Sequence, residues 1–106
     1  MGARDVERHR EAAIARVVDG AGRSSPSARR AAFEDPQRAP EAVRALLVKV
    51  TEHAYKITDA DLAAVKALVG EDEIFELVIA AAMGKASRQL AAAQAAIAEA
   101  AMAEVR

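Results

Sequence analysis

From Glu71 to Arg106 the chain contains no proline, and Gly84 is the only residue that weakens a helix appreciably. Helix propensity over this stretch is high, because alanine gives up no side-chain entropy on entering a helix. At 1.5 Å per residue, about 33 helical residues make a rod roughly 50 Å long. A compact chain of 106 residues has a radius of gyration near 13 Å, hence a diameter of roughly 33 Å. A helix of this length outruns the body that its own chain can supply.

The apolar pattern continues past that point. Leu77 to Met83 is apolar on every side, which predicts burial all round. Beyond it Met83, Ala86, Leu90, Ala93, Ile97 and Ala100 keep alternating steps of three and four, close to a heptad. Four shorter helices cannot cover all of this, so a second copy of the chain is the expected cover and the C-terminal helix the expected homo-oligomer contact. The competing expectation is that 95–106 is an Ala-rich tail, helical on propensity alone.

The remaining residues break into four helices with readable punctuation. The first is expected over Asp5–Asp19, capped by Asp5, with Val6, Ala13, Ile14, Val17 and Val18 on its apolar side. Gly20 to Ser25 ends it, and Ser25-Pro26 opens a short helix to about Glu34. A third runs from Pro40 to about Lys56, with Val43, Leu46, Leu47, Val50, Ala54 and Ile57 on one stripe and a Glu52–Lys56 pair on the other side. Thr58-Asp-Ala-Asp61 has the form of a capping box and starts a fourth helix. Its Leu62, Val65, Leu68 and Val69 face inward, and Gly70 marks its end. Glu71-Asp-Glu73 then places negative charge where the dipole of the last helix favours it. No alternating strand pattern is visible, so the fold class is all-α, a bundle of about five helices in one domain.

Bulk composition narrows the function classes. Fifteen basic and sixteen acidic side chains nearly cancel, aromatics make up 3% and Trp is absent. Neither a basic patch nor a base-stacking platform for nucleic acid is therefore expected. With no cysteine, disulfides, thiolate metal sites, iron–sulfur clusters and thiol peroxidase chemistry are all ruled out. The first ten residues lack the apolar core of a signal peptide, and no run approaches the roughly 20 residues that span a bilayer. A cytoplasmic address, no membrane and no cofactor are the expectations.

Few residues are left that carry chemistry. His53 falls on the apolar stripe of the third helix, seven residues after Leu46, which predicts an inward or interface-edge position. A buried histidine bonded to a carbonyl is one role for it, and a base near neutral pH is the other. Glu76 stands just before the fully apolar segment, where burial would raise its pKa and fit it for general acid or base work. Dipole complementarity alone also explains Glu73 and Glu76 at a helix start. Tyr55 reads as a packing residue with its hydroxyl at the rim, pointing away from His53. His9, in a charged stretch, reads as solvated. Neither histidine has a Glu three residues before it, so no carboxylate-bridged metal centre is expected. Gly84 reads as the point where another helix approaches closely.

Two stretches resemble a known superfamily. Lys49 to Lys66, with Thr58-Asp-Ala-Asp61 opening a helix, and Glu71-Asp-Glu-Ile-Phe-Glu76 leading into Leu77–Gly84 are similar to carboxymuconolactone decarboxylases and alkylhydroperoxidase D-like proteins. The likeness covers about a third of the chain, within 40–106, whereas helices in 1–39 carry none of it. It implies an alkylhydroperoxidase D-like helical fold that assembles through long helices. In the peroxidase branch it also implies a Cys-x-x-Cys pair with a Glu and a His as proton relay. This chain has no Cys, so no catalytic residue is carried over. Two function classes stand. One is a thiol-less, decarboxylase-like oligomer that binds or acts on a small organic molecule, with His53 and Glu76 as candidate catalytic residues. The other is a non-catalytic helical assembly module.

Overall fold

The computed structural model describes residues 2–105. Five α-helices follow one another: α1 (Ala3–Asp19), α2 (Pro26–Glu34), α3 (Glu41–His53), α4 (Asp59–Lys66) and α5 (Glu71–Val105). Single 3-10 turns, Pro36–Arg38 and Ala54–Lys56, join α2 to α3 and α3 to α4. No strand occurs among the described residues. The all-α class and the long C-terminal helix thus agree with the sequence.

Local chemistry explains most boundaries. Ser25 caps α2 through its hydroxyl, which accepts from the Ala28 N–H, and Pro26 follows at the first helical position. Thr58 and Asp61 form a reciprocal capping box: Thr58 Oγ1 accepts from the Asp61 N–H at 3.2 Å, and Asp61 Oδ2 from the Thr58 N–H at 2.9 Å. Lys49 of α3 reaches the same Asp61 oxygen at 2.7 Å, tying α3 to the start of α4. Beside that ammonium the Asp61 carboxyl is held below its ordinary pKa.

Three expectations fail at helix ends. α1 begins at Ala3 behind Gly2, so Asp5 lies in the first turn and does not cap. α3 stops at His53 instead of Lys56, because the chain must turn to present Thr58 as an extended N-cap residue. The Glu52–Lys56 pair consequently does not form, and Lys56 Nζ sits 5.8 Å from the Tyr55 ring centre. α4 ends at Lys66, no glycine takes a left-handed conformation, and Leu68 is 72% exposed where burial was expected.

Every other helix packs on α5, and α2 makes the most extensive contact with it. Ile74, Leu77, Ala80 and Ala81 of α5 meet Ala32 of α2, Val43, Leu46 and Leu47 of α3 and Val65 of α4 in one core. The close approach falls at Gly84. A Cβ there would lie 1.9 Å from the Phe33 carbonyl oxygen and 2.7 Å from its carbon, so the end of α2 rests directly on the α5 backbone. One turn further on, Arg88 Nη1 donates to the carbonyls of Phe33 at 2.7 Å and Glu34 at 3.1 Å. These are among the carbonyls a helix C-terminus leaves without partners. The close neighbour of Gly84 is therefore α2 of the same chain, not a helix of another copy.

Within the single chain the segment Leu77–Met83 is not buried on every side. Leu77, Ala80 and Ala81 are buried, Val78, Ile79 and Met83 are half-covered, and Ala82 is exposed, because the chain's own helices lie on one side of α5 only. Beyond Arg88 none of the described residues buries α5. Residues 89–105 are exposed throughout, about 25 Å of helix beyond the body. The molecule measures 57 × 29 × 22 Å, with a radius of gyration of 16.4 Å, against about 13 Å for a compact chain of this length. No helix is long and apolar enough to cross a membrane.

Gly84→Ala separates propensity from packing. Alanine favours an exposed helix over glycine by about 1 kcal/mol, but the added methyl must push α2 off α5 and lengthen the Arg88 bonds. Overpacking of this kind costs about 1–3 kcal/mol. Urea titration should show lower stability for Gly84→Ala, and a stability equal to or above the parent would mean that the contact yields without cost.

Candidate functional site

Glu76 is the most heavily engaged acid in the protein. Its carboxylate receives the backbone N–H of Arg23 at 2.9 Å and that of Ser24 at 2.8 Å, together with the Ser24 hydroxyl at 2.6 Å. Gly22 makes room for it: a Cβ at that position would stand 2.6 Å from Oε1. Three donors on one carboxylate favour its ionised form. The Ser24 hydroxyl first, then the two amides, hold the Glu76 pKa down at about 2, with a smaller contribution from the Arg29 charge. The shift is thus opposite to the one that burial would bring. Burial was the premise, but the α1–α2 loop supplies donors where an apolar wall was expected.

Arg29 completes this cluster. Its side chain is 3% exposed, and Nη1 donates to the Val17 carbonyl at 3.0 Å, with Nη2 3.5 Å from the Ser24 carbonyl. Its Nε has no hydrogen-bond partner among the described residues. The guanidinium binds the end of α1 to the loop that holds Glu76. A small cavity of about 150 Å³ lies here, lined by Arg16, Val17, Ala21, Arg29, Phe75, Glu76 and Ile79. An ionised carboxylate with all its donors inside the protein is an anchor for a loop. It has no proton to give near neutral pH.

His53 lies elsewhere. As the last residue of α3 it is exposed, with φ −145° and ψ 56°, at the rim of an open groove of about 850 Å³ between α3 and α4. Ala42, Ala45, Leu46, Ala60, Ala64 and Val65 contribute to the groove wall, while Arg44, Lys49 and Glu52 share the rim with His53. The inward position expected from the stripe is lost because the helix ends at this residue. The 3-10 turn also brings Tyr55 back onto His53: the ring centres are 6.0 Å apart at 82°, edge to face. Their predicted divergence presupposed a helix that continues. Tyr55 itself is 81% exposed and packs no core. His53 and Glu76 line different cavities, so the structure does not bring the two candidate residues together. His9 is exposed on α1, as its charged surroundings suggested.

Among the described residues no cluster of three or more His, Asp or Glu side chains is arranged to hold a metal ion. The largest unsatisfied feature is apolar. Phe75, Leu90, Ile97 and Met102 of α5 are all exposed. Phe75 lies where the helix still crosses the body, and the others lie on the overhang. Comparison of the chain with protein-family models, curated proteins and solved structures gave no match.

The Glu76 anchor makes a signed pH prediction. Its folded pKa of about 2 lies below the ordinary 4.5, so its contribution is complete above pH 4.5 and declines as the pH falls toward 2. Hydrogen bonds to a charged group are worth about 1.5–3 kcal/mol, against about 1 kcal/mol for neutral ones. Glu76→Gln should therefore lower stability by about 1–2 kcal/mol at pH 7, and the deficit should shrink as the pH approaches 2. A deficit that is constant from pH 7 to pH 2.5 in urea titrations would contradict the assignment.

Proposed function

We propose that this chain is a self-assembling helical module, a thiol-less relative of the alkylhydroperoxidase D-like proteins, whose working surface is the outer face of α5. The overhang carries this proposal: Leu90, Ile97 and Met102 stand exposed on about 25 Å of helix beyond the body. A soluble monomer rarely keeps a large apolar stripe open to water, and such a stripe marks an interaction site. The acidic start at Glu71–Glu73 and the Thr58–Asp61 box support the family assignment through the motifs quoted from the sequence.

A second reading is favoured by one observation, the α3–α4 groove with His53 at its rim. A pocket with apolar walls and a few polar groups is the usual form of a small-molecule site. A small organic molecule would lie along Leu46, Ala64 and Val65, with the imidazole of His53 as a polar contact at the rim. Glu76 has no part in that site, so a His53–Glu76 dyad is not proposed.

The assembly reading is tested by light scattering on a sizing column at matched concentrations. The parent chain should elute with the mass of more than one copy. Leu90→Asp/Ile97→Asp should elute as a monomer or unfold, since an unpaired charge in an apolar contact costs several kcal/mol. A monomeric parent, or a double variant with the parent's mass and stability, would reject the reading.

A further inference from the structure

The outer face of α5 carries more than a scatter of apolar residues. Ile79, Met83, Ala86, Leu90, Ala93, Ile97 and Ala100 lie on one stripe, separated by steps of four and three throughout. From Met83 onward the two heptad positions of this stripe differ in size, Ile79 being the one large residue in the position that alanine fills thereafter. Met83, Leu90 and Ile97 fill one, whereas Ala86, Ala93 and Ala100 fill the other. Glu104 is the next residue of the large-residue position.

Size alternation of this kind selects an orientation. In a parallel pair like positions meet, so Leu90 would oppose Leu90 of the partner and Ala93 would oppose Ala93. Wide and narrow layers would alternate, and no single interaxial distance fits both. In an antiparallel pair the two positions face each other. Leu90 then lies against the partner's Ala93, Ile97 against the partner's Ala86, and Met83 against the partner's Ala100. Each of these layers holds one long side chain and one methyl, which interdigitate at a uniform, close separation within the 8–10 Å range of packed helices, and only the outermost layer, Ile79 against the partner's Glu104, pairs two long side chains. The contact is the same seen from either copy, as a two-fold interface requires.

Charge agrees with this register. It carries the partner's Glu104 to Ile79. Ile79 lines the small cavity by α1 together with Arg16, an exposed cation with no ion pair among the described residues. A cation beside a carboxylate is favourably placed.

We infer that two copies pair antiparallel along α5 about a two-fold axis near Ala91–Ala92, with Ala86 opposite the partner's Ile97 and Arg16 opposite the partner's Glu104. The inference rests on the proposal that the chain assembles through α5 and goes further by fixing the orientation and register. The overhang of each copy lies across the outer face of the other's body, where Ile79 and Met83 are half-covered by their own chain. Neither overhang then remains in water.

Because the chain has no cysteine, crosslinking can read the register directly. Ala86→Cys and Ile97→Cys are made separately, both at exposed positions, and oxidised with copper phenanthroline alone and as an equimolar mixture, beside light scattering of the unoxidised proteins. A dimeric mass, with a covalent dimer formed at several times higher yield in the mixture than in either variant alone, is the expected result. Self-crosslinking of Ala86→Cys at the yield of the mixture would mean parallel pairing, overturning the register while assembly stands. A dimer with no crosslink in any arm would place the interface elsewhere, as in the α3–α4 groove, and would equally overturn it. A monomeric mass would overturn both the register and the assembly proposal.

Discussion

The structure depends on how closely α2 lies on α5. At Gly84 the Phe33 carbonyl occupies the space that any side chain on α5 would need. Arg88, one turn along the same face, donates to the last carbonyls of α2. These contacts set the depth at which Ala32 meets Ala80 and Ala81, and small residues on both helices let the backbones approach. They also mark where the body stops, since α5 is exposed throughout beyond Arg88. The glycine that brings α2 in and the arginine that holds it define the boundary between a packed half-helix and an open one.

Much of this architecture was legible because its signals are local. Ser25-Pro26, Thr58 with Asp61, and the proline-free run after Glu71 each act on neighbouring residues, and each appears in the structure where its spacing placed it. Signals whose partners lie far along the chain were legible only by half. Gly84 announced a close approach, but nothing near it in sequence identifies Phe33 as the neighbour. His53 was misplaced by carrying the α3 periodicity three residues too far, into a stretch where the capping demand of Thr58 bends the chain.

Glu76 shows a deeper limit. Its partners are backbone amides of residues 23 and 24, and an amide N–H has no residue type to read. Only Gly22 and the Ser24 hydroxyl hinted at a site, and both sit in a segment whose composition signals nothing beyond a helix terminator. The result is opposite in sign to what burial would bring: the carboxylate is held ionised by its donors, well below the usual carboxylate range. Arg29 escaped for a related reason. In sequence it is half of a basic pair, yet the helix turns Arg30 outward to Asp19 and Arg29 into the protein, onto the Val17 carbonyl.

What remains is a body with its polar groups largely satisfied and a helix whose outer stripe is not. Burial of that stripe by a second copy is the central claim, and amide hydrogen exchange along α5 tests it most directly. Exchange is followed residue by residue over a wide range of protein concentration. If the stripe is covered, amides of 89–103 are protected nearly as well as those of 74–84 at high concentration, and lose that protection on dilution, while the body keeps its own until the assembly unfolds. Amides of 89–103 that exchange at the rate of a frayed, alanine-rich helix at every concentration would contradict the account.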